Sequence, residues 1–157
     1  MAIVTKNVTI NIAFLQEIKE DSQDFRRLLA DTHELLATPH PHVARRRLVE
    51  LLAELRDQLG LHFAVEEAYG YFDDAVSVEP EVSRRAETLR AEHHDLFLDL
   101  CGLEELGERW LYHEQPANLL RQIAAGFRTF HSRLVEHESH ENDLILEALA
   151  SEIDADD

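Results

Sequence analysis

Two stretches of this chain repeat one spacing, His62-x-x-x-Glu66 and His137-x-x-x-Glu141. A step of four residues sets an imidazole and a carboxylate one turn apart on the same face of a helix. His93 lies between the two pairs, and all five side chains occupy positions where an amphipathic helix turns to its core, with apolar residues on either side. Buried ionisable groups are costly unless they are paired, hydrogen-bonded or bound to metal. Imidazole with carboxylate suits Fe, Mn or Zn, and glutamates from facing helices can bridge two ions. His62, Glu66, His93, His137 and Glu141 are therefore the candidate metal ligands.

The elements that must carry them are legible in the apolar periodicity. Prolines and short polar clusters divide the chain into four pieces, spanning about 11–36, 43–72, 82–106 and 118–150. The first has a stripe of Leu15, Ile18, Phe25, Leu29 and Leu36. The second has Leu48, Leu52, Leu55 and Leu59, then His62, Glu66 and Tyr69. In the third, Ala86, Leu89, His93, Leu96, Leu100 and Leu103 share a face, and a loop with Trp110, Tyr112 and Pro116 is expected to follow. The fourth carries Ile123, Phe127, Phe130, Leu134, His137, Glu141, Leu144 and Ala148. Steps of three and four are the period of a helix against a core. Short connectors make neighbours antiparallel, so the expected fold is all-α: one up-down-up-down four-helix bundle over residues 1–157.

Folding the helices back at their connectors tests whether the candidates meet. The midpoint of His62 and His93 falls near position 77, in the acidic connector, and that of His93 and His137 at about position 115, before Pro116. The three histidines should lie at one height, with the glutamates about one turn, or roughly 6 Å, away. His33 fails the same test and is expected on the order of 20 Å along the axis, capping the end of the first helix.

Bulk properties narrow the field. The 157 residues are 45% hydrophobic and 30% charged, with a formal net charge of −17. Such acidity argues against nucleic acid and anionic membrane surfaces as partners, since both need a basic patch. The run Arg45-Arg46-Arg47 reads as a solvated helix face. No apolar run is long enough to span a membrane, and the start Met1-Ala2-Ile3-Val4-Thr5-Lys6-Asn7 lacks a signal-like apolar region. Cys101, the only cysteine, permits no intrachain disulfide, and a cytoplasmic location is expected.

The segments Leu61-His62-Phe63-Ala64-Val65-Glu66-Glu67, Ala91-Glu92-His93 and His137-Glu138-Ser139-His140-Glu141-Asn142 resemble the hemerythrin-like HHE cation-binding domain. The resemblance covers about residues 11–150 and implies a four-helix bundle around a non-heme di-iron centre. It makes His62, His93 and His137 terminal ligands and Glu66 and Glu141 bridging carboxylates. The roles it implies are binding or sensing of O₂, nitric oxide or peroxide.

One departure stands out. The family pattern places a histidine in the middle of the first helix, where this chain has Ser22 as the core-facing residue of matching height. A hydroxyl is a poor ligand beside imidazole and carboxylate, so that end of the site is expected to be open, water-filled or completed by Glu17 or Asp21. His94 is expected to pack toward Phe97 and Cys101, and His131 and His140 to flank the stripe. His40, His42 and His113 fall in connectors. Besides the iron-binding protein, two functions are compatible with the sequence: a metal-dependent oxidase or peroxidase-like enzyme, and a degenerate bundle that serves as an interaction module.

Overall fold

Leucine-rich stripes with few internal breakers give this chain long helices. The computed structural model describes residues 23–37, 43–68, 80–112 and 116–155. They form four helices: α1 (23–37), α2 (Val43–Ala68), α3 (Pro80–Tyr112) and α4 (Pro116–Ala155). No strand occurs among the described residues. Two helices begin at a proline, whose missing N–H costs nothing in a first turn. Glu81 in the first turn of α3 and Arg109 in its last turn complement the helix dipole.

Cross-helix contacts fix the directions. Arg85 pairs with Glu147 and Arg133 with Asp99, so α4 runs antiparallel to α3. Arg56 pairs with Glu104, while Cβ positions at Gly60 and Gly107 face Phe97 and Leu52, which sets α2 antiparallel to α3. The His33 ring lies against Phe127 and His131 and joins α1 to α4. This is the expected all-α bundle.

The stripes supply the core. Leu48, Leu52, Leu55 and Leu59 of α2, Leu96 and Leu100 of α3, and Ile123, Phe127, Phe130 and Leu134 of α4 are all buried, with Phe25 and Leu29 of α1 beside them. Trp110 corrects the expected loop: α3 continues through it to Tyr112, and its ring is 1% exposed in the core. The indole carries enough apolar area to hold two further turns against the bundle. Arg45 lies over that ring at 5.0 Å, so the basic run is partly engaged. Arg47 pairs with Glu50 and Glu54 at the surface.

A second, smaller apolar cluster comprises Val82, Ala86, Leu89 and Leu144. Leu89 and Leu96 bracket His93 on α3, and Leu134 and Leu144 bracket His137 and Glu141 on α4. A layer of ionisable side chains thus divides the core in two.

Candidate metal centre

The polar layer is drawn from three helices. α2 contributes His62 and Glu66, α3 contributes His93, and α4 contributes His137 and Glu141. All are buried except His62, which is half-buried. The contacts run as a chain through the bundle. His62 Nε2 is 2.7 Å from Glu66 Oε1, and Glu66 Oε2 is 3.3 Å from His93 Nε2. His93 Nε2 is also 2.9 Å from Glu141 Oε1, and that same oxygen lies 2.6 Å from His137 Nε2. The five residues singled out from spacing are therefore brought together.

Each central imidazole is held from behind. His93 Nδ1 lies 3.2 Å from Glu67 Oε1, and His137 Nδ1 lies 2.7 Å from Glu92 Oε2. Such a carboxylate fixes the ring's orientation and keeps the proton on Nδ1, so that Nε2 is the nitrogen left to give its lone pair to a cation once its own proton is displaced. Phe63 supplies the apolar wall. Its ring stacks on His93 at 3.9 Å and meets His137 edge-on at 5.8 Å.

Electrostatics follow from this crowding. Burial opposes charge on His93, but hydrogen bonds to Glu141 and Glu66 and their negative charges outweigh it and raise its pKa to about 9. Burial likewise opposes charge on His62 and His137. The Glu66 contact raises the first, and the Glu141 and Glu92 contacts raise the second. Burial works against the charge on Glu66, yet the close contact with His62 and the positive charge of the nearby His93 hold its carboxyl well below the usual carboxylate range. The layer thus stores protons that a cation would displace.

Two atoms in it are poorly satisfied by protein alone. Glu66 Oε2 and His137 Nε2 are buried without a well-directed hydrogen bond, despite neighbours at 3.3 and 2.6 Å. Close approach without hydrogen-bond direction is the pattern of ligands that share a cation. Side-chain atoms of His93, His137 and Glu141 all lie within 4.8 Å of one another, a spacing one ion can span. A mixed nitrogen and oxygen donor set of this kind fits a first-row transition metal.

Other expectations need correction. His33 does not sit some 20 Å away as a cap. Its Nε2 is 2.6 Å from His131 Nδ1, and His131 precedes His137 by six residues, or about 9 Å. The fold-back estimate assumed a tight turn between the first two helices, whereas contacts with α4 set the register of α1. His94 is exposed and does not pack inward, because it lies about 100° around the helix from His93. His140 is also exposed and borders two surface grooves, of about 410 and 160 Å³, between α3 and α4; the smaller reaches His137. Burial pushes the Cys101 thiol up, away from reactivity. Ser22, Glu17, Asp21, Tyr69, His40, His42 and His113 lie outside the described residues.

Sequence reasoning missed Glu67, Glu92 and Phe63, each next in sequence to a candidate ligand. A neighbour is rotated off the core stripe, which reads as surface. A glutamate is nonetheless long enough to reach back, and the side chains of Glu67 and Glu92 are only 45% and 36% exposed.

Residues 13–149 match the family described as the hemerythrin HHE cation binding domain. No curated protein and no solved structure matches the chain. Among the described residues, no helix is long and apolar enough to cross a membrane.

Proposed function

The chain belongs to the hemerythrin HHE cation-binding domain family, and from that premise we propose that it is a non-heme iron protein. It holds two ions in the polar layer and binds or senses O₂, nitric oxide or peroxide. The observation that carries this reading is the layer itself: three imidazoles and two carboxylates meet in a core otherwise made almost entirely of apolar side chains. His93, His137 and Glu141 would hold one ion, with Glu66 and His62 toward the other. Zn or Mn would suit the same donors.

Iron supplies reversible redox chemistry and an affinity for small diatomic ligands. The residues do the rest. Glu67 and Glu92 keep protons on the Nδ1 atoms of His93 and His137 and orient both rings. Phe63, Leu96 and Leu134 exclude water from one side of the layer, and Leu89 and Leu144 from the other. The groove lined by Glu92, Leu96, Arg133, Glu136, His137 and His140 gives a small molecule a way in. Its volume, about 160 Å³, is below the roughly 300 Å³ at which pockets for drug-sized ligands begin. That size favours binding of a diatomic or peroxide over turnover of a bulky substrate.

Protein loaded with Fe(II) under argon should hold about two irons per chain, by the di-carboxylate bundle logic, and develop near-ultraviolet charge-transfer bands in air. Protein that retains no metal by elemental analysis would sink the proposal.

A further inference from the structure

Two imidazoles between the helices play no part in the polar layer. His33 of α1 and His131 of α4 are half-buried and meet Nε2 to Nδ1 at 2.6 Å, with ring centroids 4.7 Å apart. The His33 ring also stands edge-on to Phe127 at 4.7 Å, which holds it against α4. Each histidine of the layer has a carboxylate within hydrogen-bond reach. Among the described residues, no carboxylate is bonded to either ring of this pair.

A contact this short between ring nitrogens needs a proton between them, given by one ring to the lone pair of the other. A neutral pair satisfies this, and so does a pair with one positive charge. A pair with two charges does not: both nitrogens then donate, the hydrogen bond is lost, and two cations face each other away from bulk water. The surroundings do not relieve that repulsion. One turn to either side of His33 on α1 are Leu29, Ala30, Leu36 and Ala37. Of the corresponding α4 positions around His131, Arg128 alone is charged, and it is positive and exposed. Glu34, next to His33, is exposed as well. No charged group of α2 or α3 among the described residues acts on His131, whose pKa is lowered by burial and by the charge of His33.

We propose that the His33–His131 pair is an acid-sensitive clasp, which holds α1 on α4 until both rings are protonated and then lets α1 open locally. Its place in the bundle gives that opening a consequence. The up-down-up-down order makes α1 antiparallel to α4. Leu29 and Phe25, four and eight residues before His33, therefore approach the level of His137, six residues after His131. Both are buried, so loosening α1 uncovers the first-helix side of the polar layer. The clasp itself needs no metal there. Open α1 takes up both protons near the ordinary histidine pKa of about 6.5, and the closed pair takes up only one. The clasp is thus complete above pH 6.5 and weakens as pH falls, by about tenfold per pH unit in the population of open α1. Once α1 is open its histidines titrate as in the unfolded chain, so the loss stops at the cost of this one opening. The contribution of His93 is already complete below pH 6.5 and does not vary across the window.

Hydrogen exchange of the full chain between pH 7 and 5, read by mass spectrometry and corrected for the intrinsic rate at each pH, tests the clasp. Protection of residues 23–37 should fall about tenfold from pH 6.5 to 5.5, while that of Leu96 to Leu103 in α3 holds. His131→Gln keeps an acceptor for His33 and cannot take the second charge, so its α1 protection should stay flat. His33→Gln should do the same from the other side. Should either variant loosen α1 at every pH, proton NMR of the wild type decides: one of the two rings must titrate well below the ordinary histidine range. Unchanged α1 protection in the wild type, an equal fall in His131→Gln, or two rings that both titrate near 6.5 would overturn the proposal.

Discussion

The two halves of the polar layer are built to different standards. On the α3–α4 side, two imidazoles face one carboxylate oxygen at 2.9 and 2.6 Å, and each ring is braced through Nδ1 by a further glutamate. On the α2 side, His62 has Glu66 at 2.7 Å and electrostatic neighbours in Glu141 and Glu138. Among the described residues preorganisation is therefore uneven: the first half has its rings locked before a cation arrives, and the second must gather its donors. The braced half should fill first and release last.

Removing what both halves share should have the largest effect. Glu141→Ala takes away the oxygen common to His93 and His137 and the charge that also acts on His62 of the other half, and metal content measured after gel filtration should fall to background. Phe63→Ala removes the wall of the layer and should cost about 3–5 kcal/mol in urea unfolding, with metal affinity reduced as His93 loses its stacking partner. Next in size, Glu92→Gln and Glu67→Gln should weaken the first ion by about 10–100-fold in competition with a chelator. Glu92 should matter more, since its contact is the shorter, 2.7 Å against 3.2 Å. Equal loss from both halves in Glu92→Gln would mean that the two halves do not differ. His94→Ala, on an exposed face, should change stability by no more than about 0.5 kcal/mol.

Acidity sharpens the same comparison. The raised pKa of His93, to about 9 from 6.5, stabilises the metal-free fold below pH 6.5, and that contribution is lost as pH rises through about 9. The lowered pKa of Glu66 stabilises above its ordinary 4.5 and is lost as pH falls toward the folded value. Metal-free protein should thus melt highest between about pH 4.5 and 6.5. Metal displaces the proton from His93, so the gain in melting temperature on loading should grow across pH 6.5–9. A gain that shrinks over this range would contradict displacement.

The fold and the centre of the site were open to reading from the chain because both depend on period. Leu48 to Leu59, Leu96 to Leu103 and Ile123 to Leu134 repeat at three and four and are the core. His62, Glu66, His93, His137 and Glu141 interrupt those stripes at heights that a fold-back calculation can match. The misses have a different cause. Trp110 lies beyond the last regular leucine step, and a single indole extends the helix where periodicity had ended. Glu67 and Glu92 stand one residue from a ligand, and their reach depends on side-chain length and rotamer rather than on the helical wheel. The level of His33 was misjudged because a midpoint argument assumes helix ends that meet at a turn, while its contact with His131 sets the true register.

The polar layer has one half whose rings are braced and, among the described residues, one whose His62 is not. Anomalous diffraction at the iron edge, from crystals of Fe(II)-loaded protein, tests it most directly. A strong peak is expected within reach of His93, His137 and Glu141, and a second, weaker one beside His62 and Glu66. A layer without a peak, or iron bound only at the protein surface, would contradict it.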